Sequence, residues 1–317
     1  MRRSANKAPV LVPHPRKVCR FFSASGDAEA NGCGREGTGV PVTEEDELIH
    51  RGYVLHHQFD YEGAIECFDR ALKLPNASNR LQALYYKAIS LHNSDRLEAA
   101  LSCYEECLEI NSEVAVIHDG QGTTYLDCDE YERALKCFDA AIELDPDCAE
   151  FYANKGICLV NLDRNDEALA CLDRALEIEE KCVNAWNYKG VCLYEMGKKD
   201  QAFSCFERAL TIGPADVYTL MNYGTLSFED GRFASSVECF DALLQINPRD
   251  AAAWTYKGLC FLEMERYQEA LDVFDLCLKL SPESALVWRS KGTAHERLGQ
   301  RESALKCKRR AQEIERN

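Results

Sequence analysis

The sequence predicts an all-α protein assembled from tandem helical hairpins. Three observations carry that expectation: one pattern recurs about every 34 residues, its apolar positions fall at helical spacing, and 18 Gly with 9 Pro in 317 residues is sparse for a loop-rich or all-β chain. The recurrence is plainest in residues 61–73, Tyr-Glu-Gly-Ala-Ile-Glu-Cys-Phe-Asp-Arg-Ala-Leu-Lys. Ala64 has equivalents at Ala100, Ala134, Ala168, Ala202, Ser236, Ala270 and Ala304, a step of 36 and then six of 34. Four residues after each stands a large group: Phe68, Tyr104, Phe138, Leu172, Phe206, Phe240 and Phe274, with Lys308 closing the column. Twelve residues before each stands a small one: Gly52, Ala88, Gly122, Gly156, Gly190, Gly224, Gly258 and Gly292. Eight copies therefore fill residues 45–317.

Each copy reads as two helices and a turn. Trp186 to Tyr194 carries the apolar stripe of a first helix, with Gly190 inside it. Met-Gly-Lys-Lys-Asp at 196–200 reads as a short polar turn. A second helix follows, and in the first copy Ala64, Cys67, Phe68 and Ala71 mark its buried face at i, i+3, i+4 and i+7. Gly on one helix and Ala on the other let the backbones approach, and the aromatic is expected to fill space between successive hairpins. Pro146, Pro214, Pro248 and Pro282 each stop a second helix.

These residues resemble the tetratricopeptide repeat, a 34-residue helix–turn–helix unit: Trp186, Trp254 and Trp288, the Gly column, the Ala-x3-Phe pair and the closing Pro all fit its pattern. The resemblance implies a right-handed superhelical solenoid over residues 44–317, with units starting near 45, 81, 115, 149, 183, 217, 251 and 285, and an arm or linker over 1–43. Departures are few. Ala88 replaces Gly, Ser236 replaces Ala, and the first junction holds two extra residues, placed in the loop around Pro75–Arg80. The last helix carries Lys306, Lys308, Arg309, Arg310 and Arg316 and reads as the polar cap that a stack of repeats needs.

Charge bounds the partners. Residues 1–41 carry seven basic and three acidic residues, so the total of −16 leaves −20 on the remainder. A body that acidic repels phosphate backbones, and no nucleic acid is expected. Apolar runs are far too short for a transmembrane segment.

Seventeen Cys suggest disulfides or metal until the repeat is laid out. Cys67, Cys103, Cys137, Cys171, Cys205, Cys239 and Cys307 share one column, and Cys158, Cys192 and Cys260 share another. Copies lie about 10 Å apart, too far for a disulfide or a shared metal. Core packing is therefore expected, with no metal and no cofactor. His50, His56, His57 and His92 lack a converging third ligand, and no phosphate loop, nucleophile elbow or zinc-helix motif is present. The expectation is a protein that is not an enzyme. So many thiols suit a reducing compartment, the cytoplasm.

In the family the first helices line a concave groove. The residues expected there are Tyr53, Tyr85, Ile89, Ile157, Asn187, Val191, Tyr194, Met221, Phe228, Leu259, Leu262 and Arg289, with Thr123, Thr225 and Thr293 in the same stripe. Such a groove suits a protein or peptide partner with apolar anchors, the work of an interaction scaffold or adaptor. The alternative is a regulatory or assembly subunit of an enzyme complex, and a thiol- or metal-handling protein ranks third. Two specialised family modes are disfavoured. Ile49, His50, Tyr53, Gln82 and Tyr86 do not supply the Lys and Asn set that grips acidic chaperone tails. Tyr86, Gly120, Tyr188 and Tyr256 interrupt the Asn ladder begun by Asn154 and Asn222.

Residues 1–26 hold six basic and no acidic residues, and Arg20-Phe-Phe-Ser23 is similar to a mitochondrial presequence cleavage site. Pro9, Pro13 and Pro15 oppose the amphipathic helix that import needs. Three readings stay open: a transit peptide to the mitochondrial matrix, a disordered basic arm, or an over-extended gene start. Oligomeric state is left open as well.

Overall fold

The structure, a computed structural model, describes residues 43–74 and 78–316. The arm, Cys19, Cys33 and the loop residues 75–77 lie outside it. Among the described residues there are sixteen α-helices and no strand. The first helices of the hairpins are α1 (Glu44–His57), α3 (Arg80–Asn93), α5 (Ala115–Asp127), α7 (Ala149–Asn161), α9 (Val183–Glu195), α11 (Val217–Glu229), α13 (Ala251–Glu263) and α15 (Ala285–Arg297). The second helices are α2 (Tyr61–Leu72), α4 (Leu97–Ile110), α6 (Tyr131–Leu144), α8 (Asn165–Ile178), α10 (Lys199–Ile212), α12 (Phe233–Ile246), α14 (Tyr267–Leu280) and α16 (Arg301–Ile314). The chain forms two compact bodies that divide inside α9, residues 43–185 and 186–316.

The Gly and aromatic columns meet inside each hairpin. A Cβ on Gly52 would stand 2.6 Å from the Phe68 ring, and one on Gly190 2.7 Å from Phe206. Phe68, Phe138, Phe206, Phe240 and Phe274 are all fully buried. The sequence suggested a ring between hairpins; the ring in fact seats on the Gly of its own hairpin and its outer face reaches the next. Phe206 stacks on Tyr223 at 5.6 Å and Phe240 on Tyr256 at 5.2 Å. The exceptional Ala88 fits the same logic, because Tyr104 lies instead against Gly120 of the following hairpin. Ser236 is tolerated in the Ala column because its hydroxyl donates to the Gly224 carbonyl at 2.8 Å.

Every hairpin turns through one residue with positive φ, seven positions after the Gly column: Phe59, Asp95, Asp129, Asp163, Gly197, Gly231, Glu265 and Gly299. Only three of the eight are Gly, and the other five hold a conformation that costs an L-residue about 1 kcal/mol or more. Between hairpins, the Trp254 indole donates to the Pro248 carbonyl at 3.0 Å and Trp288 to Pro282 at 2.8 Å. Trp and Pro thus recur together because one anchors the other's loop. The connection from Leu72 to Arg80 is longer than that from Ile110 to Ala115. Buried Glu45 holds its far end, accepting from the Ser78 and Asn79 amides, each at 2.9 Å.

Charged residues join hairpins too. Lys87 pairs with Asp69 at 2.7 Å, Lys155 with Asp139 at 2.6 Å, Lys257 with Asp241 at 2.5 Å, and Lys291 with Asp275. Each links a first helix to the preceding second helix. At the end of the stack the Lys308 stem lies on Gly292 and its ammonium pairs with Glu296, covering the seat that an aromatic fills elsewhere.

Candidate interaction surface

Neighbouring first helices touch one another, α1 with α3, α3 with α5 and α5 with α7 in one body, and α11 with α13 and α13 with α15 in the other. Among the described residues no two second helices do so; each packs on first helices. When the inner row is closer spaced than the outer one, each body curves with its first helices on the inside. The face that could receive a partner is therefore the first-helix side.

The structure sorts the expected groove residues. Tyr53, Ile89, Tyr194, Met221, Phe228, Leu259 and Leu262 are half-buried, with part of each side chain left accessible. Arg289 is exposed and tied to Glu315 by an ion pair. Four others are buried and offer a partner no surface: Tyr85, Ile157, Asn187 and Val191. Tyr85 packs edge-on to Tyr104 at 6.4 Å and tilts over Tyr86 at 5.6 Å. Asn187 accepts from Asn222 at 3.2 Å, and Asn154 donates to Asp119 at 2.7 Å. The Asn residues thus bridge first helices. Thr123 and Thr225 are also buried, their hydroxyls spent on Gly120 and Met221 carbonyls at 2.8 and 2.9 Å.

The two bodies line this side differently. In residues 43–185 one register of this side begins with His56 and His92 and continues with the buried Leu126 and Val160. His56 Nδ1 lies 2.9 Å from Ser90 Oγ, and Ser90 donates to the Tyr86 carbonyl, so the histidine nitrogen is the donor. His92 lies 3.0 Å from Thr124 Oγ1 and 3.0 Å from Asp127 Oδ2. Burial first, and the neighbouring His57 second, push the His56 pKa down to about 4. In residues 186–316 the matching positions are Tyr194, Phe228 and Leu262. Tyr194 meets Phe203 edge-on at 6.0 Å, and Phe228 contacts Phe233 at 5.7 Å and Tyr256 at 5.8 Å.

The thiols behave as core. Eleven of the described cysteines have raised pKa values, and desolvation dominates each shift: Cys107, Cys158 and Cys239 rise to about 12, and Cys137 and Cys182 to about 11. Cys158 donates to the Tyr131 carbonyl at 3.2 Å and Cys260 to Ser236 at 3.2 Å. Such thiols are poor nucleophiles. Among the described residues no three His, Cys, Asp or Glu side chains converge as a metal site, and no helix is long and apolar enough to cross a membrane.

Hairpins of this geometry, with Gly, Ala, Phe and Pro at fixed places, define an all-α repeat solenoid. The family patterns for the tetratricopeptide repeat match residues 48–77, 81–114, 120–178, 183–216 and 224–285, and the chain belongs to that family. No curated protein matches it. Among solved structures, a tetratricopeptide repeat protein from Parabacteroides merdae aligns at 19% identity over 79% of this chain and 98% of its own, with a TM-score of 0.60. Residues 41 to the end of MamA from Desulfovibrio magneticus align at 20% identity over 53% of this chain and 95% of that one, with a TM-score of 0.50. Both likenesses concern the fold.

Proposed function

We propose that the protein is a non-catalytic interaction scaffold whose first-helix side holds a peptide segment of a partner. The observation that carries this reading is the row Tyr194, Met221, Phe228, Leu259 and Leu262. These side chains pack on the core with one part and leave the other accessible on the first-helix side. Half-covered aromatics and aliphatics on a preformed surface are what apolar anchors of a peptide bury. The raised thiol pKa values weigh against a thiol-handling role. A reducing compartment, the cytoplasm, suits a chain with a cysteine in nearly every hairpin.

The test is affinity capture of the tagged full chain from its native lysate, beside the Met221→Ala/Phe228→Ala/Leu262→Ala variant, each checked for helicity. A partner kept by the parent and lost by the folded variant supports the scaffold reading. A partner held equally by both moves the site off this surface.

A further inference from the structure

A second surface lies on α16, which keeps the register of the other second helices. Among the described residues α16 packs only on α15, so the side that α2, α4, α6, α12 and α14 turn to a following first helix stands open. Leu305 holds the position of Ile65, Phe203 and Leu271, which are 5%, 2% and 5% exposed, yet Leu305 itself is 55% exposed. Four residues on, Arg309 holds the position of Asp69, Glu105, Asp139, Asp173, Glu207, Asp241 and Asp275, and it too is exposed.

That acid column joins hairpins. Asp69, Asp139, Asp241 and Asp275 pair with Lys87, Lys155, Lys257 and Lys291, and Glu207 accepts from the Tyr223 hydroxyl, in each case from the first helix that follows. At α16 alone the acid of the column gives way to a cation. The polar outer face that a terminal repeat needs would replace Leu305 and would be served equally well by the acid. α16 does the reverse, keeping the leucine and inverting the charge.

A second copy of this chain is a poor occupant. The position four residues before the Lys column holds Ala83, Ile117, Phe151, Thr219, Ala253 and Val287, all buried, and Val287 lies in one apolar cluster with Phe274. In α1 that position is the exposed Glu47, and the Lys column holds Arg51. Laid on α16 of another copy, α1 would bury a carboxylate and set Arg51 against Arg309.

We propose that α16 receives an acidic amphipathic helix of a partner, added to the stack as a further first helix. Its apolar face covers Leu305, and a small apolar residue takes the place that Val287 has in α15. Four residues later, in the Lys register, its Asp or Glu meets Arg309. This surface is separate from the first-helix side and does not depend on the peptide reading of that side.

Fluorescence anisotropy on the full chain tests it, with labelled peptides of residues 283–299, which span α15, stapled on the face away from Val287. One peptide keeps Lys291 and the other carries Lys291→Glu. The Glu peptide is expected to bind about fivefold more tightly, the swing of one exposed charge pair from repulsion to attraction. Arg309→Asp should invert that preference, whereas Lys279→Asp on α14 should leave it unchanged. Equal binding of the two peptides, a preference that survives Arg309→Asp, or no binding by either overturns the proposal. Self-association of the parent chain in sedimentation equilibrium, abolished by Leu305→Asp, overturns it as well, because a second copy would then be the occupant.

Discussion

A methyl group added at Gly190 would stand 2.7 Å from the ring of Phe206, which is fully buried, so neither residue can change alone. Phe206→Ala is expected to cost about 3–5 kcal/mol, and Gly190→Ala about 1–3 kcal/mol by overpacking. Leu262→Ala, on the half-buried row, should cost less than about 1.5 kcal/mol. Urea unfolding of the three variants checks the order, and a Leu262 loss equal to that of Phe206 would make Leu262 core. His56 gives a pH signature at the same scale. Its folded pKa of about 4 lies below the ordinary 6.5, so the neutral ring is the folded form. The stability it contributes is present above pH 6.5 and is lost as pH falls through 4. The parent should therefore lose more stability than His56→Gln between pH 7 and 4, by on the order of 2 kcal/mol. Identical pH profiles would contradict the burial of His56.

Hairpin turns are the element at which the sequence least resembles its structure. Five of eight positive-φ positions are not Gly, and Glu265 holds φ of 59° on an exposed turn. Glu265→Gly should raise the melting temperature, stabilising by up to about 1 kcal/mol, and Gly231→Ala should lower it by a similar amount. No change in either would remove turn strain from the account. Helices and hairpins were legible because Ala, Gly and Phe repeat at 34-residue spacing, and the second-helix face from Ala64 to Ala71 is as buried as its period implies. The Lys–Asp links were equally present as columns, at Lys155 and Asp139 or Lys257 and Asp241, yet read alone as solvated charges. The site was legible only in part. Period places Tyr85, Ile157, Asn187 and Val191 on the same face as Phe228. How much of each the next hairpin covers depends on its own side chains, as Asn222 covers Asn187.

At the scale of the molecule, each body has two unlike sides. Among the described residues second helices meet only first helices, while within each body first helices meet each other and carry the half-buried row. Outer helices also expose apolar residues, among them Ile246 and Leu276, so exposure alone does not select the working side. The direct measurement places a photo-cross-linking amino acid at Leu262 on α13, or at Leu276 on α14, and identifies the partner attached under light. The account predicts cross-linking from position 262 and none from 276. A partner cross-linked from 276 alone would contradict it.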